Sequence, residues 1–130
     1  MDIEHSFDEG KKRVLMRIGE AASGAAVSRY IAGLATERPE LADWDWVQDI
    51  RESRGNVDNA DIAAVAEALA TASPGPCWTI YVTHDHNLAL WCKVMDAMFR
   101  GRLHRVVATP QAAASLLDAL RAASPAPSSS

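Results

Sequence analysis

His84, Asp85 and His86 form the densest run of groups able to do chemistry in this chain. Two imidazoles flanking a carboxylate could ligate a divalent metal, with His104 as a further donor, and a metal-dependent enzyme built on this turn is one reading. Imidazoles at i and i+2 share a side only where the backbone is extended, and the third ligand must come from a distant segment. The competing reading needs no metal. Asp85 or Asn87 caps a following helix and the histidines sit partly in solvent. Being simpler, it leaves no metal ligand assigned.

Other nucleophiles and cradles are weaker. A reactive thiol needs a histidine partner and an exposed, electropositive setting. Cys77 begins an apolar strand-like run and Cys92 falls on a helical apolar stripe, with no CxxC pair. Both read as buried, reduced thiols. Ser53 lacks the Gly-x-Ser-x-Gly elbow, and neither GxGxxG nor GxxxxGK[ST] occurs. Asp49 lacks the acidic pair and the lysine that a phospho-accepting receiver domain needs around it. No catalytic residue and no cofactor are expected, and the protein is expected not to be an enzyme.

Binding surfaces are better represented. Trp44, Trp46, Trp78 and Trp91 each carry a large apolar area. Trp78 and Trp91 suit a core. Trp44 and Trp46, set among aspartates, have core packing as their plainer reading and are also candidates for lining an apolar pocket or a homodimer face. The stretch Arg100-Gly101-Arg102-Leu103-His104-Arg105, with Lys93 before it, could meet an acidic partner or anionic lipid heads. Its plainer reading is a solvated connection. Thirteen basic against seventeen acidic residues give a net charge of −4, which argues against nucleic acid. The start, MDIEHSFDE, lacks the basic and apolar regions of a signal peptide. No run approaches the roughly 18 apolar residues of a spanning helix. The expectation is a cytoplasmic protein without integral membrane association.

These groups need a scaffold, and 130 residues with 48% hydrophobic composition make one globular domain. Residues 2–7 and 13–18 read as a hairpin around Asp8-Glu9-Gly10-Lys11, with Val14, Met16 and Ile18 on one face. Val27, Tyr30, Ile31 and Leu34 form a helical stripe that Ser23 or Ser28 can cap and Pro39 interrupts. Trp44 to Ile50 is the third strand, with Trp44, Trp46, Gln48 and Ile50 on one face. A polar turn, Arg51 to Asn59, precedes a helix from Ala60 to about Ala72, which Asn59 can cap. Ser73-Pro74-Gly75-Pro76 ends it.

Cys77 to Thr83 is apolar on both parities, the mark of a strand covered on both faces. Leu88, Trp91, Cys92, Met95 and Phe99 define the buried face of the next helix, which Gly101 ends. His104 to Ala108 is a fifth strand, and Thr109-Pro110 starts a last helix. The order ββαβαβαβα predicts an α/β domain over residues 1–122, a mixed five-stranded sheet with four helices. Residues 123–130 make a disordered Ser/Pro tail.

The order, the third strand Trp46-Val47-Gln48-Asp49-Ile50-Arg51 and the ending Arg105-Val106-Val107-Ala108-Thr109-Pro110-Gln111-Ala112 resemble the STAS domains, in their SpoIIAA-like branch. The resemblance covers roughly residues 2–121. It implies a small cytoplasmic regulatory or ligand-binding domain without catalysis. Such domains carry a phosphorylated serine or threonine at the start of the helix after the third strand. Here that region is Gly55-Asn56-Val57-Asp58-Asn59-Ala60-Asp61, which has neither. No phosphorylation site is carried over, and Asp58 supplies a fixed charge instead.

The favoured expectation is therefore a regulatory interaction module that presents Arg51 to Asp61, including Arg54, Asp58 and Asn59, to a protein partner. The alternative is a lipid-like, apolar small-molecule binder using a cleft between Trp44, Trp46 and the His84–Asn87 turn, with His84 and His86 at its edge. A metal-dependent enzyme on His84, Asp85 and His86 comes third.

Overall fold

The computed structural model describes residues 2–53, 59–70, 76–85 and 87–123. Its elements in order are β1 (Ile3–Asp8), β2 (Arg13–Ile18), α1 (Gly24–Glu37), a 3₁₀ turn (Pro39–Asp43), β3 (Asp45–Asp49), α2 (Asn59–Ala68), β4 (Cys77–Val82), α3 (Leu88–Met98), β5 (Arg102–Val107) and α4 (Pro110–Ala123). The described residues form an α/β domain with a mixed five-stranded sheet and four helices. Helix α4 runs one residue past the expected boundary at 122, and residues 124–130 lie outside the described residues. No helix among the described residues is long and apolar enough to cross a membrane.

Local chemistry sets the ends of these elements. In the β1–β2 hairpin, Asp8 Oδ1 accepts from the Lys11 backbone N–H at 3.1 Å, and Lys12 takes the left-handed conformation at φ 55°. Ser23 caps α1 by accepting from the Ala26 N–H at 3.1 Å. Pro39 does stop α1, and the chain continues as the 3₁₀ turn before β3. Gly101, at φ 75°, turns the chain into β5. Thr109 Oγ1 accepts from the Ala112 N–H at 3.0 Å ahead of Pro110.

Strand order equals chain order, β1-β2-β3-β4-β5. β1 pairs antiparallel with β2, and every later pair is parallel. Each crossover advances one strand in the same direction, so right-handed connections put α1, α2 and α3 on one face. The core on that face joins Val14, Met16, Ile18 and Trp46 to Ile31, Leu69, Met95 and Phe99. Helix α4, following the last strand, returns across the other face and packs Ala113 and Leu117 on Val47, Trp78, Ile80 and Val82.

This lopsided cover explains the strand patterns. β4 meets helices on both faces and is apolar on both parities, as its sequence suggested. β2 alternates because α4 does not reach the whole of its second side, where Leu15 stays 40% exposed. Beside it Arg17 pairs with Glu4 and Glu52.

The basic stretch 100–105 is not a solvated connection throughout. β5 starts at Arg102, two residues earlier than expected, and Arg102 and His104 are both 1% exposed. Strand parity turns these two side chains toward the three-helix face while Arg105 stays out.

Candidate functional site

The carboxyl ends of parallel strands are where α/β sheets bind ligands. Here Ile18 closes β2, Gln48 and Ile50 flank the end of β3, and Tyr81 and Thr83 bracket the end of β4. On the three-helix face these side chains floor a cavity of about 540 Å³. Val27, Ser28 and Ile31 of α1 wall it, with Val65 of α2 and Leu88, Trp91 and Met95 of α3. Ala22 and Gly24, at and just before the head of α1, also line it and put little side chain into the space.

The lining is mostly aliphatic and aromatic, with a few polar groups. Gln48 is the informative one. Its side chain shares a sheet face with Trp46, is 4% exposed, and makes no hydrogen bond among the described residues. A primary amide offers two N–H donors and a carbonyl acceptor. Facing the cavity, these groups are left for whatever fills it. Thr83 and Asp85 are already engaged. Thr83 Oγ1 accepts from the Asp85 N–H at 3.1 Å, and Asp85 Oδ1 accepts from the Asn87 N–H at 2.9 Å. Tyr81 donates to Met95 Sδ at 3.5 Å, and burial raises its pKa above the ordinary tyrosine value.

The expected site residues separate. Trp46 is fully buried and donates through Nε1 to the Leu41 carbonyl at 2.9 Å. Trp44 is 6% exposed, edge-on to Phe7, with the Arg38 guanidinium 5.0 Å from its ring centre. Both stand at the amino end of β3, away from the cavity, and neither lines it. The expected cleft between Trp44, Trp46 and the 84–87 turn is therefore corrected, as is a homodimer face built on these two rings. The aspartates that suggested exposure do not share their side of the strand: Asp45 points to the α4 face and pairs with Arg121.

The tryptophan at the cavity is Trp91, which is not buried as expected but 42% exposed on the shoulder of α3.

At the 84–87 turn the capping reading describes Asp85, which closes a turn before α3, while the Asn87 side chain makes no capping bond. His84 is exposed. His104 is far from serving as its partner ligand. Its ring is buried in β5, with Nδ1 2.9 Å from Asp96 Oδ1 and Nε2 without a partner. Among the described residues no group of three His, Cys, Asp or Glu could hold a metal. His86, Arg54 and Asp58 lie outside the described residues, and Asn59 opens α2.

The remaining nucleophile candidates are quiet. Cys77 and Cys92 are buried and free. Burial, then Asp96, pushes Cys92 up to about 11, and burial raises Cys77. Asp49 is clasped by Arg51 at 2.9 and 2.7 Å, which holds its carboxyl below the usual range.

Burial pulls the His104 pKa below its ordinary value against the opposing pull of Asp96, with Arg102 and Arg105 adding to the lowering. The folded state therefore binds this proton less readily than the unfolded chain, whose histidine titrates near 6.5. Stability is expected to fall as pH drops from about 7.5 to 5.5 through that value. Urea midpoints across this range should show the slope, and His104→Phe should flatten it.

Sequence reasoning missed Gln48, Ser28 and Thr83. The available signal was Gln48 itself, a polar residue on an otherwise apolar strand face. Compared with known proteins, the chain matches no family model, no curated protein and no solved structure.

Proposed function

We propose that this chain is a non-catalytic domain that binds a small, largely apolar molecule with one polar end, held between the sheet and α1–α3. The unpartnered amide of Gln48 inside an apolar cavity carries the reading. A hydroxyl, carbonyl or carboxyl group placed there would supply the missing hydrogen bonds, while the aliphatic walls take the rest. The volume of about 540 Å³ falls within the roughly 300–1,000 Å³ usual for ligand sites. Of the titratable groups at the cavity, Asp85 is spent on a turn and Tyr81 is held protonated by burial. That supports binding over catalysis.

The SpoIIAA-like STAS assignment is part of the same proposal. An antiparallel edge strand, β1, beside four sequentially ordered parallel strands, β2 to β5, supports it. Regulation through a protein partner joins it at one point. Ser53 lines the cavity and immediately precedes the Arg54–Asp58 segment expected to meet that partner. A bound molecule would thus touch the chain beside the partner surface.

The test uses a fluorescent fatty acid, cis-parinaric acid, titrated into the protein with Trp emission as donor. Saturable one-to-one binding is expected. Val27→Trp, which fills the cavity, should abolish it. Gln48→Leu should weaken it by about tenfold, the equivalent of one hydrogen bond at ~1.4 kcal/mol. Linear, unsaturable uptake by the wild type, with no adduct in native mass spectrometry, would refute the reading.

A further inference from the structure

Helix α3 is apolar on its outer side as well as its inner one. Leu90, Trp91, Val94 and Met98 are 66%, 42%, 46% and 41% exposed. Their spacing places them on one stripe, with Leu90, Val94 and Met98 on a single i, i+4 ridge. The buried residues Cys92, Met95 and Phe99 occupy the opposite side. Lys93 lies on one flank of the stripe and Arg100 is exposed in the turn just past the end of α3, and neither joins an ion pair among the described residues. Asp96, the acid within α3, is turned away to His104 and Arg105.

A second copy of the chain does not suit this patch. Four side chains, each already partly covered, fall well short of the ~800 Å² per partner of a standard protein interface. A lipid surface needs less. A helix with an aliphatic and tryptophan side, one lysine at its edge and an arginine in the turn after its end is built to lie in the headgroup region of an anionic bilayer. Its cations meet the lipid charge while its apolar ridge enters the acyl boundary.

We propose that α3 is a peripheral docking element for anionic membrane surfaces, seated through Leu90, Trp91, Val94 and Met98 and steered by Lys93 and Arg100. This docking does not depend on the cavity's being a ligand site.

The experiment is flotation of the full chain with phosphatidylcholine vesicles, with and without phosphatidylserine, alongside Trp emission. Binding to the anionic vesicles alone is expected, with a blue shift, weakening as salt rises. The pairs Leu90→Ser with Val94→Ser, and Lys93→Glu with Arg100→Glu, should each weaken it at least about tenfold. All four positions are at the surface, so unchanged melting temperatures confirm that the variants fold. No flotation with either vesicle overturns the proposal, and so does flotation that the variants leave intact. A wild-type dimer in sedimentation equilibrium, dissociated by the serine pair, would give the stripe to a second copy and overturn it too. The fatty-acid titration is read separately, so either idea can fail alone.

Discussion

Arg102→Ala is expected to cost about 4 kcal/mol of unfolding free energy, the largest single-residue effect foreseen in this fold. The guanidinium is 1% exposed and makes four hydrogen bonds. Nη1 donates to the Trp78 carbonyl at 3.0 Å and to Thr79 Oγ1 at 3.2 Å. Nη2 donates to the carbonyls of Ala42 and Trp44, each at 2.8 Å. It thus joins the 3₁₀ turn, the head of β3, β4 and β5 at the amino end of the sheet, where parallel strands leave carbonyls to be satisfied.

No carboxylate neutralises it by direct contact, because Asp45 is held by Arg121 on the other face. Burial lowers its pKa from the ordinary arginine value, but a guanidinium remains charged. Alanine would leave a void and strip several buried acceptors of their donor at once. Arg102→Met refills much of the volume without the donors, and a loss of about 2 kcal/mol is expected. Arg102→Lys should not rescue, since one ammonium cannot reach both pairs of acceptors. Urea unfolding of the three variants measures this. An alanine variant within about 1 kcal/mol of wild type would mean the carbonyls find other donors.

The second large effect is expected at Asp45. Its carboxylate is 1% exposed at the head of β3. It accepts from the Trp78 N–H at 3.0 Å and from Arg121 at 2.8 and 2.5 Å. This bidentate pair pins the last turn of α4 to the sheet. Asp45→Ala removes the anchor and orphans a buried N–H, so a loss of about 3 kcal/mol is expected. Asp45→Asn keeps the shape and one acceptor and should lose about half as much. Arg121 is partly exposed, so Arg121→Gln should cost less than Asp45→Ala. A double-mutant cycle between the two positions checks the coupling. Coupling near zero would show that packing of Leu117 and Ala113 alone holds α4 in place.

Much of the architecture was legible in the chain. Alternation gave β2, two-faced apolarity gave β4, and Thr109-Pro110 gave the start of α4, because each of these signals is local. What was not legible depends on which way a whole strand faces. Beside aspartates Trp44 and Trp46 could be read as only partly covered, yet parity sends their rings to the three-helix face and the Asp45 carboxylate to the opposite face, where α4 buries it. Arg102 looked like part of a solvated basic connection, and His104 like the first residue of a strand with no sign of which face it took. Only the pairing of β5 with β4, which sets Arg102 beside Cys77 and His104 beside Thr79, shows that they are interior. The cavity was misplaced for the same reason. Its floor comes from strand ends that lie far apart in sequence, and its polar group, Gln48, was read simply as a strand residue.

The return of α4 across the second face bears on how the chain is made. As the polypeptide leaves the ribosome, every ribbon can find its neighbour at once, since neighbours in space are neighbours in synthesis. Trp78, Ile80 and Val82 must nonetheless wait for the 14 residues of α4, which emerge after all five strands. A nascent or clipped chain stopped after β5 would carry a naked greasy strip on a finished sheet, the kind of surface that chaperones hold and aggregates begin from.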